Sequence, residues 1–177
     1  MATAEEILAT LRSRFPDLSL EARPQVMREP LPGDQSHVRI EAGRLMDVLQ
    51  FLRDDPQTKF EQLCDLTCVD YLNFPGATDR FGLIYSLLSL THNHRFWIKC
   101  FVNDPNPRVP SVVPLWPGAD WMEREVFDMF GVVFDGHPDL RRILTWDGFE
   151  AHPLRKDYPL RGKGERENYE VVHRDSA

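Results

Sequence analysis

Apolar positions recur at helical spacing in three stretches of the chain. Ile7, Leu8, Leu11 and Phe15 form the first stripe, ended by Pro16, with a Thr3–Glu6 capping-box pattern ahead of it. Leu45, Val48, Leu49 and Leu52 form the second, within a helix over Arg44–Arg53 that Asp54-Asp55-Pro56 closes. Met122, Val126, Met129 and Phe130 form the third, with Asp120 expected as N-cap, Glu123 at the third helical position and Gly131 as the C-terminal stop. Elsewhere the period is that of strands. Leu18–Arg23 and His37–Glu41 alternate apolar with polar, and the loop between them, EPLPGDQ, is rich in turn formers. Cys68–Leu72 reads as strand. Phe81–Leu90 and Arg95–Val102, parted by Thr91-His92-Asn93-His94, read as a β-hairpin.

This order predicts an α+β fold, with helices packed on a small antiparallel or mixed sheet, then a third helix and a long extended C-terminal tail. The divisions expected are a core over 1–104, a proline-rich connector over 105–118, a helix and turn over 119–136, and a partner-binding tail over 137–177. The connector holds Pro105, Pro107, Pro110, Pro114 and Pro117, too many for a central strand. Beyond Gly136 neither period is sustained. A stretch so long without regular structure, in a chain of 177 residues, points to a segment held by something else.

Composition narrows the function. The net charge of −7 argues against nucleic acid as the main partner, although residues 137–177 carry eight acidic and eight basic side chains and are locally richer in cations. Three cysteines, Cys64, Cys68 and Cys100, fit a reducing compartment. The N-terminus lacks the basic start and apolar run of a signal peptide, and the longest apolar stretch, Phe81–Leu90, is too short to span a bilayer. A cytosolic protein, or one on a membrane only through partners, is expected.

Each chemical motif has a plainer reading. A thiolate cluster site needs four ligands, usually starting from a C-x-x-C knuckle, so the three cysteines read as small buried hydrophobes. Glu125 and Asp128, one helical turn apart, could bind a metal or do acid–base work with His137, yet capping and ion pairing need no chemistry. His137 and His152 each precede proline, which favours side chains that pin a bend over metal ligands. Arg141-Arg142 and Arg155-Lys156 stand beside Asp139 and Asp157, which suits ion pairs at a protein interface better than a grip on phosphate. There is no glycine-rich phosphate loop and no nucleophile elbow.

The densest signal is the run Glu123-Arg124-Glu125, Asp128-Met129-Phe130-Gly131, Phe134, Gly136-His137-Pro138-Asp139-Leu140-Arg141-Arg142-Ile143-Leu144 and His152-Pro153-Leu154-Arg155-Lys156-Asp157-Tyr158-Pro159-Leu160. It resembles the signature of the C-type subunit, also called the 30 kDa-type subunit, of respiratory complex I in its bacterial form, the NADH:quinone oxidoreductase family. Leu66, Val69, Asp70 and Tyr71, the hairpin from Phe81 to Tyr85, and Pro110, Leu115 and Trp116 agree with it. Ala151 departs from the family, which usually has glycine there, and the chain stops at Ala177 without the longer extension of some members.

The resemblance implies a non-catalytic structural and assembly subunit of the peripheral arm, on the cytoplasmic side of the inner membrane. It would dock on the D-type subunit, and on iron–sulfur subunits, through its tail. The assembly passes electrons from NADH through FMN and iron–sulfur clusters to quinone and couples this to proton translocation, while this chain holds no cofactor. The residues expected to bind partners are Glu123, Arg124, Glu125, Asp128, Phe130, Gly131, Phe134, Gly136, His137, Pro138, Asp139, Arg141, Arg142, His152, Pro153, Arg155, Lys156, Asp157, Tyr158 and Pro159. Phe127, Ile143, Leu144 and Trp146 would bury apolar area against the partner or back onto the domain. The equivalent subunit of a membrane-bound hydrogenase or ferredoxin-dependent oxidoreductase is the alternative. A stand-alone metal enzyme using Glu125, Asp128 and His137 is a further one.

Overall fold

The computed structural model of the chain describes residues 4–16, 18, 22–24 and 36–164. Thr3, the loop EPLPGDQ, residues 19–21 of the first expected strand and residues 165–177 of the expected tail lie outside them. Helix α1 (Ala4–Arg14) and helix α2 (Leu45–Asp54) use the two predicted stripes. Ile7, Leu8 and Leu11 are buried with Leu45, Val48, Leu49 and Leu52, and Phe15 meets Phe51 edge to face at 5.7 Å. A five-stranded mixed sheet completes this layer, in the order β1 (Ala22–Pro24), β2 (Ser36–Ile40), β5 (His94–Val102), β4 (Phe81–Ser89), β3 (Gln62–Asp70). Within this sheet, among the described residues, the β2–β5 pair is parallel and the other pairs are antiparallel.

Strand β3 begins well before Cys68, where the sequence period starts to show. Its early part carries a register shift between Leu63 and Asp65, which breaks the alternation by which a strand is recognised in sequence. The hairpin is as expected. Asn93 takes the left-handed conformation its turn needs, and Glu61 accepts the Leu90 N–H at 2.9 Å, tying the turn to the start of β3. The cysteines lie in strands: Cys68 and Cys100 are buried and Cys64 is half-buried. Burial pushes the Cys68 thiol well above its ordinary range and the Cys100 thiol up to about 12, so neither is a thiolate at neutral pH.

The proline-rich connector contributes one short strand, β6 (Arg108–Pro110), which pairs in parallel with β7 (Val133–Asp135) in a separate two-stranded sheet. Helix α3 (Ala119–Phe130) lies between them in sequence and packs on β3. One apolar core runs from Ile7 to Phe134 and includes Val109, Val112, Trp116, Val126, Met129 and Phe130. The connector and α3 are therefore part of the same packed body as the sheet. Among the described residues, no helix is long and apolar enough to cross a membrane.

Candidate functional site

Helix α3 is fastened at both ends. It starts two residues earlier than Asp120 would set it, with Gly118 as N-cap and no side-chain cap. Glu123 has a different task from the capping expected of it. Its buried carboxylate accepts the Ser111 hydroxyl at 2.7 Å and the Val112 N–H at 2.6 Å, so the helix clamps the connector. Burial raises the Glu123 carboxyl above its ordinary value, against the pull of those two donors and of His137. His137 Nδ1 accepts the Asp139 N–H at 3.0 Å, so its proton sits on Nε2, which donates to the Asp120 carbonyl at 3.1 Å. This histidine pins the bend that sends the chain back over α3.

The other end is organised by Asp128, whose side chain is wholly buried. One oxygen accepts the N–H groups of Ile143, Leu144 and Thr145 at 3.0, 2.8 and 2.8 Å. The other accepts the Thr145 hydroxyl and the Arg142 guanidinium, the latter at 2.7 Å. Burial alone would raise this carboxyl. Thr145, Arg142 and Leu144 outweigh burial and hold it well below the usual carboxylate range.

The last four carbonyls of α3 have no partner within the helix, as at any helix end. Here the chain beyond supplies all four. Gly131 N–H caps Phe127 at 2.8 Å, His152 Nδ1–H reaches Asp128 at 3.0 Å, Leu154 N–H reaches Met129 at 3.1 Å and Arg155 Nε reaches Phe130 at 2.6 Å. Arg142 and Arg155 also bring positive charge to the negative end of the helix. Burial lowers His152 below its ordinary value, with Arg155 and Arg142 adding to this, so the ring is neutral at pH 7. Gly131 sits at φ +76°, and a Cβ there would lie 2.5 Å from His152 Nε2 and 2.9 Å from Arg155 Nη2. Backbone conformation and ring space both require glycine.

Farther on, Asp70 at the end of β3 accepts the Lys156 N–H at 2.8 Å and the Leu72 N–H at 2.9 Å. Arg80 joins Asp70, Asp104 and Asp157, the last at 2.7 Å. Arg80 and Arg155 place their guanidinium carbons 4.8 and 4.9 Å from the centre of the Phe81 ring. Arg124 donates to the carbonyls of Arg141 and Arg142 at 3.1 and 3.0 Å. Residues 137–164 thus have no regular structure, as the sequence indicates, but they are bound to their own domain at many points.

The expected partner-binding residues divide into two groups. Glu123, Asp128, Phe130 and Phe134 are buried, Pro153 is half-buried, and Arg124, Gly131, His137, Arg142, His152 and Arg155 are half-buried and hydrogen-bonded within the chain. Glu125, Gly136, Pro138, Asp139, Arg141, Lys156, Asp157 and Pro159 are exposed, and half-buried Tyr158 meets the Phe149 ring at 5.9 Å. Arg141 and Arg142, adjacent in sequence, part company. Arg142 completes the Asp128 site, while Arg141 points to solvent beside Asp139. Trp121 on α3 and Leu144, Trp146, Leu154 and Leu160 on the tail present exposed apolar surface. Phe127 is half-buried, with its ring 6.3 Å from that of His152.

Glu125, Asp128 and His137 do not converge. The first is exposed, the second is saturated by donors and the third is turned to Asp120. Among the described residues, no group of three or more His, Cys, Asp or Glu side chains is arranged to hold a metal ion. Asp70, Arg80, Asp104 and Ser111 complete the fastening without having been singled out as site residues. Their partners across the fold lie 10 to 86 residues away, beside local ones such as Leu72 on Asp70, and no local spacing reveals the distant pairs.

The profile of the respiratory-chain NADH dehydrogenase 30 Kd subunit family matches residues 38–164, which include α3 and the described tail. The chain is 56% identical over 121 residues to the C-type subunit of NADH-quinone oxidoreductase of Caulobacter vibrioides, covering 68% of this chain and 59% of that protein. It is 48% identical over 155 residues to the corresponding protein of Roseiflexus castenholzii, covering 87% and 83%. The match thus spans less than two thirds of the Caulobacter relative. Among solved structures, a trypsin-resistant fragment (1–134) of Nqo5 superposes with a TM-score of 0.63 at 28% identity, over 76% of this chain and 99% of the fragment. A chain in the archaeal membrane-bound sulfane sulfur reductase superposes with a TM-score of 0.68 at 25% identity, over 96% and 93%.

Proposed function

The chain belongs to the family of the respiratory-chain NADH dehydrogenase 30 Kd subunit, and from that premise we propose that it is a structural and assembly subunit of the peripheral arm of an NADH:quinone oxidoreductase. Its task is to present a pre-shaped rib, α3 with residues 137–164 fastened along it, to a neighbouring D-type subunit. The observation that carries this is the complete capping of the α3 C-terminus by the tail. A segment already ordered loses little conformational entropy on docking. The exposed Trp121, Leu144, Trp146 and Leu154 supply the apolar contacts, at roughly 1.5–3 kcal/mol for each side chain fully buried. Arg141, Lys156 and their acidic neighbours set register and selectivity more than affinity.

In this reading the chain performs no redox chemistry itself. Electrons pass from NADH through FMN and iron–sulfur clusters to quinone in other subunits, and the chain meets the inner membrane, on its cytoplasmic side, only through the assembly. A second reading is favoured by the superposition on the sulfane sulfur reductase chain: the same rib in a related membrane-bound respiratory complex.

The test is recovery of the tagged chain from detergent-solubilised native membranes, with mass spectrometry and metal analysis. Co-purification of NADH-oxidising, iron–sulfur and membrane subunits is expected, lost in a Leu144→Asp, Trp146→Asp double variant. Hydrogenase or sulfur-reductase subunits in their place would support the second reading. Recovery of the chain alone with a stoichiometric metal would contradict both.

A further inference from the structure

The sheet has a second face, on the side away from the core. Exposure alternates along β4 and β5: Leu83, Tyr85, Leu87, Phe96, Ile98 and Cys100 are buried, and the residues between them are not. Those intervening side chains form one surface across the sheet. Register places Ile84 of β4 opposite Lys99 of β5, and Lys99 opposite Arg39 of β2. Trp97 and Phe101 flank Lys99 along its own strand. Gly82 opens room there for two rings, since a Cβ on it would lie 2.8 Å from Tyr71 and 2.9 Å from Phe101. Across its middle row, register sets Arg39, Lys99, Ile84 and Thr67 side by side, with half-buried Trp97 and Phe101 on either flank of Lys99.

Its charges are unusual for an acidic chain. Arg39 and Lys99 are like charges on directly opposed positions, an arrangement that costs stability. Arg39 is relieved by Asp79 at 2.6 Å and by lying 4.4 Å from the Phe101 ring centre. The Lys99 ammonium has no ion pair or hydrogen bond among the described residues. It is half-buried, and burial lowers its ammonium below the ordinary lysine value. Covering it with a purely apolar layer would strand a charge without a partner, which disfavours such a cover. An occupant of this face must therefore bring an acceptor of its own.

We infer that this outer sheet face is a second docking surface, distinct from the α3 rib, for a protein segment whose apolar side chains cover Ile84, Trp97 and Phe101 and whose carboxylate pairs with Lys99. The inference rests on the reading that the chain works inside an assembly, and the segment belongs to another subunit of it. The wild-type chain supplies the test in two states, purified alone and within the isolated assembly. Acetic anhydride reports the reactivity of Lys99, and a water-soluble carbodiimide joins its amine to any carboxylate in contact, both read by peptide mass spectrometry.

On assembly, Lys99 acetylation should slow by roughly tenfold or more, and the carbodiimide should link it to an Asp or Glu of another subunit. Lys99→Glu should lower recovery of the assembly while the isolated variant still melts cooperatively, and Lys99→Arg should restore recovery. Equal reactivity of Lys99 in both states overturns the inference, as does a link to an acid of this chain or of a second copy of it. If the chain is found with no other subunit, the assembly reading itself has failed and this inference falls with it.

Discussion

Asp128 and Glu123 are both buried carboxylates on one helix, and their surroundings drive them in opposite directions. Asp128 is held ionised by Thr145, Arg142 and Leu144. A carboxyl depressed in the folded state stabilises the fold above its unfolded value of about 4 and loses that contribution as pH falls. Asp128→Asn should therefore lower stability by about 3 kcal/mol at pH 7, with the gap to the wild type narrowing towards pH 3. Urea midpoints across that range read it, and a gap independent of pH would contradict the assignment. Glu123 is the reverse case, because burial raises its carboxyl and the ionised form weighs against folding above about pH 4. Glu123→Gln keeps an acceptor for Val112 N–H and a donor for Ser111, so it should compare best with the wild type near neutrality. Glu123→Ala leaves the Val112 N–H unpartnered and should cost about 2 kcal/mol by the same measurement. Gly131→Ala combines a left-handed backbone with a clash on His152 and should cost about 2 kcal/mol or more by thermal melting. The turn role of Gly131 was legible in the sequence, as a glycine after the last apolar helical position. The task of Asp128 was not, because its donors lie 14 to 17 residues away in a segment without periodicity. Ala151 stands where the resemblance suggests glycine, yet among the described residues the non-glycine positions with positive φ are Lys59, Asn73 and Asn93, so its bend needs no left-handed backbone.

At the scale of elements, α3 and the tail form one unit. Helical period located α3, and the loss of any period located the tail. The sequence could not say that the tail is fastened, since side chains reaching carbonyls leave no periodic trace. The capping expected of Asp120 illustrates the same limit: the turn at Trp116–Ala119 starts the helix earlier, and the Asp120 carbonyl serves His137 instead. If the tail completes α3, removing residues 137–177 should lower the melting temperature by several degrees, because helix carbonyls and the Asp128 carboxylate lose their donors. Calorimetry of the shortened chain decides this, and an unchanged melting temperature would mean that the tail is an independent appendage. Arg142→Ala should weaken the fold, whereas Arg141→Ala should leave it unchanged, since Arg141 bonds only to exposed Asp139 through its side chain.

For the molecule as a whole, the α+β class and the three helices follow from hydrophobic period, which leaves the sheet antiparallel or mixed; strand order and the parallel β2–β5 pair do not follow from it. Three of the four neighbouring pairs in this sheet join consecutive strands, but β2 pairs with β5 across the intervening α2, β3 and β4, and pairing of that kind is set by packing that no local window contains. The proposed function depends on the tail being a surface already built before a partner arrives. Hydrogen exchange, run on the purified chain and again within the isolated assembly, tests that most directly. The N–H groups of Ile143, Leu144, Thr145, Leu154 and Lys156 should be protected in the free chain, because Asp128, Met129 and Asp70 accept them. Added protection on assembly should fall on the outward-facing residues around Trp146 and Leu160. Unprotected exchange throughout 137–164 in the free chain, or no change on assembly, would contradict the account.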